Sequence, residues 1–359
     1  MTRLAAAFLG YAIASLPLVA RSDPPVQVMP MGGDVVYERL PDALPVQPAR
    51  AVGGKRDWSI DTARLLAELD ASCRTTDIGR QMVSEHSVVR CVKGHLEGRG
   101  DLSFYSSVST VMTAAFRHGI VNGKARIVPR YGLRFEGTLR DNVAEGPGVI
   151  TEVSGTRVSG VFTAGVLSGN VRLDFPDGSH SEAVFADGGI DGPTVLTFAN
   201  GTRFEYTVRG TRYVGPATMR FADGSRLEFF YGPKSAHDDG GAWGNAVYRP
   251  AHGDAVSGEF IPAEPDLGHW AMPAGLSILE RRLMESGTVT LAFTIGTDGA
   301  ISDLKIHESS GSPRLDANAL TAAAAWRYYP ASVAGRPIAI STLLSLVFRV
   351  QAAPIVTAP

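Results

Sequence analysis

The chain has 359 residues, of which 44% are hydrophobic and 19% are charged, so folded modules are expected rather than a disordered chain. Its formal net charge of −2 gives no general attraction to nucleic acid or to anionic lipid. The length accommodates two or three modules, and the 40 glycines and 22 prolines predict many turns and a spacer.

The first 22 residues have the features of a signal peptide. Arg3 precedes an apolar run from Leu4 to Ala20, and Ala20-Arg21-Ser22 suits cleavage by signal peptidase. The alternative is an uncleaved anchor, although the run is short for a membrane span and contains Gly10 and Pro17. Export with cleavage is therefore the leading expectation.

Residues 23–58 form a proline-rich stretch, which predicts an extended spacer. Residues 59–93 follow with Ile60, Ala63, Leu66 and Leu69 at helical spacing, which predicts one short helix. Cys73 and Cys91 are the two cysteines of the chain. In an exported protein such a pair favours a disulfide over two free thiols, and without clustered histidines it makes a poor metal site.

A glycine recurs every 23 residues in the central part of the chain, at Gly123, Gly146, Gly169, Gly192 and Gly215. A second glycine follows each of them nine residues later, often as Asn-Gly or Asp-Gly, as at Asn200-Gly201. These pairs supply the positive φ angles that hairpin turns need. A single hairpin cannot bury an apolar face, so the copies are expected to stack into a β-hairpin solenoid.

The repeat, with Phe135-Glu136-Gly137 and Gly146-Pro147-Gly148, resembles the MORN repeat over residues 94–260. The similarity is degenerate at Val158, Ser181, Ala183 and Tyr206. The resemblance implies an elongated rod used for association or as a scaffold. Lipid contact, which is often proposed for such repeats, is disfavoured because the sequence has no basic stripe.

After a linker at 261–275, alternating apolar residues around Asp298-Gly299 predict a hairpin, the run from Pro313 to Arg327 predicts a helix, and the apolar stretch from Ile338 to Val350 predicts a strand. Residues 276–350 resemble the C-terminal domain of TonB in β-β-α-β order, and a tail follows at 351–359. The segments that carry the resemblance are Ser309-Ser310-Gly311, Leu315-Asp316, Trp326-Arg327-Tyr328, Pro330 and Gly335-Arg336-Pro337. One departure is that LERRLMES stands where the family often has a Tyr-Pro pair.

The resemblance implies a periplasmic domain that contacts TonB-dependent outer-membrane receptors by strand addition. The implied contact is the edge of the last strand, at Ser341, Leu343, Ser345, Val347 and Arg349. A small sheet covered by one helix exposes such an edge, and a second copy of the chain could pair with it instead to form a homodimer. Trp326, Tyr328 and Pro330 are expected to be structural.

No catalytic residues, cofactor or metal site are expected. The eight histidines are scattered and form no HExxH motif, and the chain has no GxSxG or phosphate-binding loop. His307 and Glu308, at the end of a predicted strand, are expected at the surface.

The sequence thus predicts a mainly β protein: a MORN-like β-hairpin solenoid followed by a small α+β, TonB-like domain. The leading function is non-enzymatic binding of a receptor or another envelope protein in the periplasm, with a part in energy transduction if residues 4–20 remain as an inner-membrane anchor. The alternative is an envelope scaffold in which both modules only mediate association.

Overall fold

A computed structural model describes residues 35–36, 62–75, 89–105, 109–129, 133–210, 212–232, 241–269 and 287–348. Over these residues the protein is mainly β, as the sequence predicts. The predicted signal sequence at 1–22 and the tail at 351–359 lie outside them.

Two helices are described, α1 (Thr62–Thr75) and α2 (Pro313–Ala323), with a 3₁₀ turn at Leu267–His269. The strands of the N-terminal and central parts are β1 (Val35–Val36), β2 (Arg90–Val92), β3 (His95–Tyr105), β4 (Ser109–Arg117), β5 (Ile120–Val121), β6 (Gly123–Pro129), β7 (Arg134–Arg140), β8 (Val143–Thr151), β9 (Arg157–Thr163), β10 (Val166–Asp174), β11 (His180–Ala186), β12 (Gly189–Thr197), β13 (Arg203–Arg209), β14 (Arg212–Tyr213), β15 (Pro216–Arg220), β16 (Arg226–Gly232), β17 (Gly241–Arg249) and β18 (Val256–Ile261). Those that follow are β19 (Glu264–Pro265), β20 (Gly287–Ile295), β21 (Ile301–Glu308), β22 (Tyr328–Tyr329), β23 (Ala331–Val333), β24 (Arg336–Ile338) and β25 (Ile340–Phe348).

Strands β2 to β18 form one antiparallel meander, here called the repeat sheet. Each long strand pairs with the next long strand in the chain, while the short β5 and β14 pair with β4 and β13. No pairing among the described residues joins β2 to β18, so the sheet is open. Burial alternates along the strands; in β7, for example, Phe135 and Leu139 are buried while Arg134 and Glu136 are exposed.

In three of the 23-residue copies the first glycine, at Gly146, Gly169 or Gly192, lies in a β-bulge. In β8, the residues between Ala144 and Gly148 lie opposite Thr138 alone, and Gly146 within them has φ +83°. Similar register shifts flank Gly169 and Gly192. Bulges of this kind add local twist, so the glycine ladder repeats a bend as well as a hairpin.

The hairpins turn at two opposite edges of the repeat sheet. At one edge the second-ladder glycines Gly155, Gly178, Gly201 and Gly224 each donate an N–H to the carbonyl three residues earlier. The four turns that contain these glycines are called the docking turns below. At the other edge the turns are two-residue, and both central residues have positive φ, as at Asp187-Gly188.

Helix α1 packs on this second edge. Leu66 enters the core, and the Asp70 carboxylate accepts a hydrogen bond from the Leu96 N–H at 2.9 Å. Cys73 of α1 and Cys91 of β2 form a disulfide with a Cα–Cα distance of 5.6 Å, which confirms the predicted pairing.

The C-terminal module is a four-stranded sheet of order β1-β25-β20-β21, with α2 on one face. The short strands β22, β23 and β24 lie between α2 and β25, in addition to the predicted elements. All nine residues of β25 are buried, because α2 covers one face and the repeat sheet covers the other.

Strand pairing also joins the two modules. β23 pairs with β18, the last strand of the repeat sheet, and β22 pairs with β19. The segment 261–275, interpreted from the sequence as a linker, therefore contains ordered pairing with the C-terminal module in its described part. Its remaining residues, from 270 onwards, lie outside the described ranges.

Candidate strand-binding site

The last strand, β25, offers a main-chain edge. One side of β25 pairs with β20 along its whole length, from Ile340 opposite Ile295 to Phe348 opposite Gly287. On the other side, called the outer edge, Phe348 and Val347 pair with Val35 and Val36 of β1. From Ile340 to Leu346 no described strand pairs with the outer edge.

The edge residues named from the sequence lie on this strand, but their side chains point away from any incoming partner. Ser341 is 1% exposed and its Oγ lies 3.2 Å from Thr202 Oγ1, so it faces a docking turn. Leu343, Ser345 and Val347 share that face by alternation and are also buried. Arg349 lies outside the described residues. A strand added here would meet β25 through main-chain groups.

The outer edge differs from the opposite edge of the same sheet. Strand β21 exposes Ser302, Asp303 and Lys305, and Asp303 has φ +54° within a register shift. Charged side chains and irregular backbone protect an edge strand from pairing. β25 carries neither feature in its described residues, so it is the better acceptor of a strand.

Two of the docking turns, those of Gly178 and Gly201, hold the C-terminal module through polar contacts. The Asn200 amide Nδ2 donates to Thr294 Oγ1 and to Ser341 Oγ, both at 3.0 Å. The Asp177 Oδ2 atom lies 3.1 Å from His307 Nδ1, and these side chains are 1% and 3% exposed. His307 also packs on Phe175, with a ring-centroid distance of 3.9 Å.

The expectation that His307 and Glu308 lie at the surface is wrong, since they are only 2% and 4% exposed. No local pattern could predict their burial, because the repeat sheet that covers them lies more than 100 residues earlier in the chain. Asn200 belongs to an Asn-Gly turn that the sequence predicts, and Asp177 and Ser179 stand at the corresponding turn of the preceding copy. Their recurrence in the docking turns was the signal that could have suggested a shared role.

Burial raises the pKa of Asp177, but the hydrogen bond and charge of His307 and the hydrogen bonds from Ser179 outweigh it. The pKa of Asp177 therefore lies below its usual value. Ser179 Oγ is 3.0 Å from the same His307 Nδ1 atom. A nucleophilic triad needs the histidine between serine and aspartate through its two nitrogens, so this buried cluster is a structural contact.

Trp326 and Tyr328 lie in the core of the C-terminal module, where both rings pack on Phe293. Pro330 is half-buried beside them. The glycines named as structural all have positive φ, from +71° at Gly169 to +158° at Gly192.

The exposed face of the repeat sheet carries arginines that are paired with acids across strands. Arg126 pairs with Glu136 and Arg220 pairs with Glu205 across strands, and Arg203 pairs with Glu205 on the same strand. The hydrogen bond from Arg249, with the charge of Arg226, holds the pKa of Glu228 below its usual range. This charge balance agrees with the absence of a basic stripe in the sequence.

Within the described ranges, no three His, Cys, Asp or Glu side chains gather as they would around a metal ion. Neither α1 nor α2 is long and apolar enough to cross a membrane.

No curated protein matches the chain. Among solved structures, the SAS-4 (dCPAP) TCP domain in complex with a proline-rich motif of Ana2 (dSTIL) of Drosophila melanogaster is similar at 14% sequence identity and a TM-score of 0.30. That match covers 60% of this chain and 95% of the other. A TM-score this low supports no inference about fold or partner.

The family model described as Gram-negative bacterial TonB protein C-terminal matches residues 278–350. This match covers β20, β21, α2 and β25, the elements that build the candidate site. The family match therefore supports a TonB C-terminal domain at residues 278–350.

Proposed function

We propose that the protein is a non-enzymatic periplasmic protein that binds TonB-dependent outer-membrane receptors, or other envelope proteins, by accepting an extended segment as a strand. The observation that carries the proposal is the outer edge of β25 within a TonB C-terminal domain. Unpaired N–H and C=O groups along such an edge are a template for another strand.

Main-chain pairing supplies the affinity of strand addition, and side chains supply its selectivity. In this protein the side chains of β25 are buried between α2 and the repeat sheet. Selectivity therefore comes from the surfaces beside the outer edge, where the added strand's side chains alternate between the helix side and the repeat side of the sheet.

The MORN-like repeats act in this proposal as a rod that sets the position of the TonB domain. The repeat adds two strands per copy, or about 10 Å at the usual strand spacing. Pairing of β18 with β23, together with the contacts of Asp177 and Asn200, holds the domain along one edge of this rod. Energy transduction follows if residues 4–20 stay as an inner-membrane anchor; with a cleaved signal peptide, binding is the whole function.

The second candidate is an envelope scaffold whose two modules mediate association only. The polar docking of Asn200 and Asp177 on the TonB domain favours it, because a fixed arrangement of modules suits a structural part. Sequencing the N-terminus of the mature protein separates the two cases in part, since a scaffold does not need an inner-membrane anchor.

Strand addition is tested with the full chain and synthetic peptides from receptor N-terminal segments. A series of each binding peptide carries one N-methylated amide at successive positions. In an antiparallel or parallel ladder only alternate residues donate to a given neighbour. We expect N-methylation to weaken binding at every second position and to leave the intervening positions close to the unmodified peptide, as measured by calorimetry.

The unmodified peptide and its alternate-position variants are matched controls for solubility and length. Loss of binding at consecutive positions would contradict strand addition. A stable dimer in sedimentation experiments, with no binding of any receptor peptide, would favour the scaffold.

A further inference from the structure

The outer edge of β25 is already partly occupied by the chain itself. Val35 and Val36 form β1, antiparallel to β25, with Val35 opposite Phe348 and Val36 opposite Val347. These residues lie in the segment 23–58, which its prolines mark as a spacer. A strand at this place is therefore a local exception to the composition around it.

The local sequence accounts for that exception. Two β-branched valines follow Gly32-Gly33-Asp34, and no proline occurs again until Pro41. Valine favours strands, whereas glycine and proline delimit them. The spacer thus carries one short stretch with strand composition, and that stretch pairs with the TonB domain.

The register places this stretch in competition with an added partner. An antiparallel strand that enters at Phe348 continues along β25 towards Ile340, over the same main-chain groups that the proposed partner would use. One edge of a strand can pair with one neighbour at a time. Occupation by the chain and occupation by a partner therefore exclude each other wherever they overlap.

We propose that the segment around Val35 and Val36 is a tethered competitor that occupies the strand-binding edge in the absence of a partner. A tethered segment acts at a high effective concentration, so even a short strand can fill the edge. A partner in trans must then be extended, so that its main chain can replace that of Val35 and Val36 beside β25. The identity of such a partner rests on the proposed function, but the internal pairing does not.

The competition raises the apparent dissociation constant of any partner by the inverse of the fraction of molecules with a free edge. If the chain fills the edge in nine molecules of ten, partner binding weakens about tenfold. Removing the internal strand should therefore lower the apparent dissociation constant of the partner by the same factor.

The first test compares the wild-type full chain with a Val35→Pro/Val36→Pro variant, in which both β1 amide N–H groups are lost, including the one that points towards β25. The matched control is Val26→Pro/Val28→Pro, which puts two prolines for two valines in the same proline-rich segment. The probe is a fluorescent synthetic peptide with the sequence of residues 32–41. We expect the peptide to bind the Val35→Pro/Val36→Pro variant about tenfold more tightly than the wild type or the control. Equal affinity for all three proteins would overturn the proposal.

The second test locks the internal strand in place with a Val36→Cys/Val347→Cys pair, because these residues lie directly opposite each other. Under oxidising conditions we expect a disulfide between them, identified by peptide mass, and a loss of binding of the 32–41 peptide that mild reductant reverses. Wild-type protein under the same reductant controls for the Cys73–Cys91 bond. Failure to crosslink, or binding that survives the crosslink, would overturn the proposal.

Receptor N-terminal peptides, tested in parallel, separate this proposal from the proposed function. Suppose that the 32–41 peptide binds more tightly when β1 is disrupted and that receptor peptides bind none of the proteins. The internal competitor is then supported and the receptor assignment is wrong. If receptor peptides bind the wild type and the Val35→Pro/Val36→Pro variant equally, the receptor assignment stands and the internal competitor fails.

Discussion

At the scale of single residues, the two glycines of Gly146-Pro147-Gly148 are needed for different physical reasons. Gly146 has φ +83°, and a Cβ built on it meets no atom within 4 Å. Gly148 has no such φ, but its Cβ would lie 2.9 Å from the Phe162 ring. We expect Gly146→Ala to cost about 1–2 kcal/mol through backbone strain and Gly148→Ala to cost about 1–3 kcal/mol through overpacking. Urea unfolding of the two full-length variants measures both.

Asparagine distinguishes the two mechanisms, because it adopts positive φ more readily than alanine but is larger. Gly146→Asn should be more stable than Gly146→Ala, whereas Gly148→Asn should be less stable than Gly148→Ala. If Gly146→Asn were no more stable than Gly146→Ala, strain at Gly146 would not be the reason for the first glycine ladder.

At the scale of elements, the Cys73–Cys91 disulfide attaches helix α1 to the start of the repeat sheet. The bond spans a sequence separation of 18, for which loop-closure entropy predicts about 3 kcal/mol of stabilisation. We expect a Cys73→Ala/Cys91→Ala variant to lose about that much in urea unfolding, and wild-type protein in reductant to match it. Labelling of both thiols in denatured protein that was isolated without reductant would contradict the bond.

The sequence was sufficient for the elements whose signals are local. The Pro313 start of α2, the strand β20 and the Asp298-Gly299 turn all depend on neighbouring residues, and the structure has each of them. Alternation along β20 predicted one buried face, whereas both faces are buried. The sequence did not predict the bulges at Gly146, Gly169 and Gly192, because a glycine spacing alone does not distinguish a bulge from a close approach of backbones. β1 was missed because prolines dominate the composition around Val35.

The sequence predicted which strand forms the candidate site, but it did not predict that the side chains of this strand are buried. The family resemblance located the last strand, and the structure places Ser341 and Leu343 on it. Their burial depends on the docking turns, which contact β25 from 139 residues away in the chain, as between Thr202 and Ser341. No local pattern carries that information, so an exposed sheet face was the natural expectation.

At the scale of the whole molecule, the repeat sheet and the TonB domain share one core. One continuous cluster contains Phe204 and Phe229 of the repeat sheet together with Phe293 and Trp326 of the TonB domain. Separating the modules would expose the buried face of β25 to water and would remove His307 from the Asp177 carboxylate. The two modules should therefore unfold in a single calorimetric transition, and a change at their contact should move that transition as a whole.

Asp177→Asn tests this coupling. The folded-state pKa of Asp177 is depressed, so its charge stabilises the native state above the unfolded pKa of about 4, and that contribution disappears as the pH falls through the folded pKa. We expect Asp177→Asn to lower stability by about 2–3 kcal/mol near neutral pH, where a buried charged hydrogen bond is lost, and by progressively less below about pH 4, where the wild-type carboxyl becomes neutral too. The matched control is Asp266→Asn, because Asp266 also has a lowered pKa and contacts a histidine, His269, but lies at the surface, where pairs contribute little. Calorimetry from pH 7 to pH 3 measures both variants. Two separate transitions, or a loss for Asp177→Asn that does not depend on pH, would show that the contact with His307 does not hold the modules together.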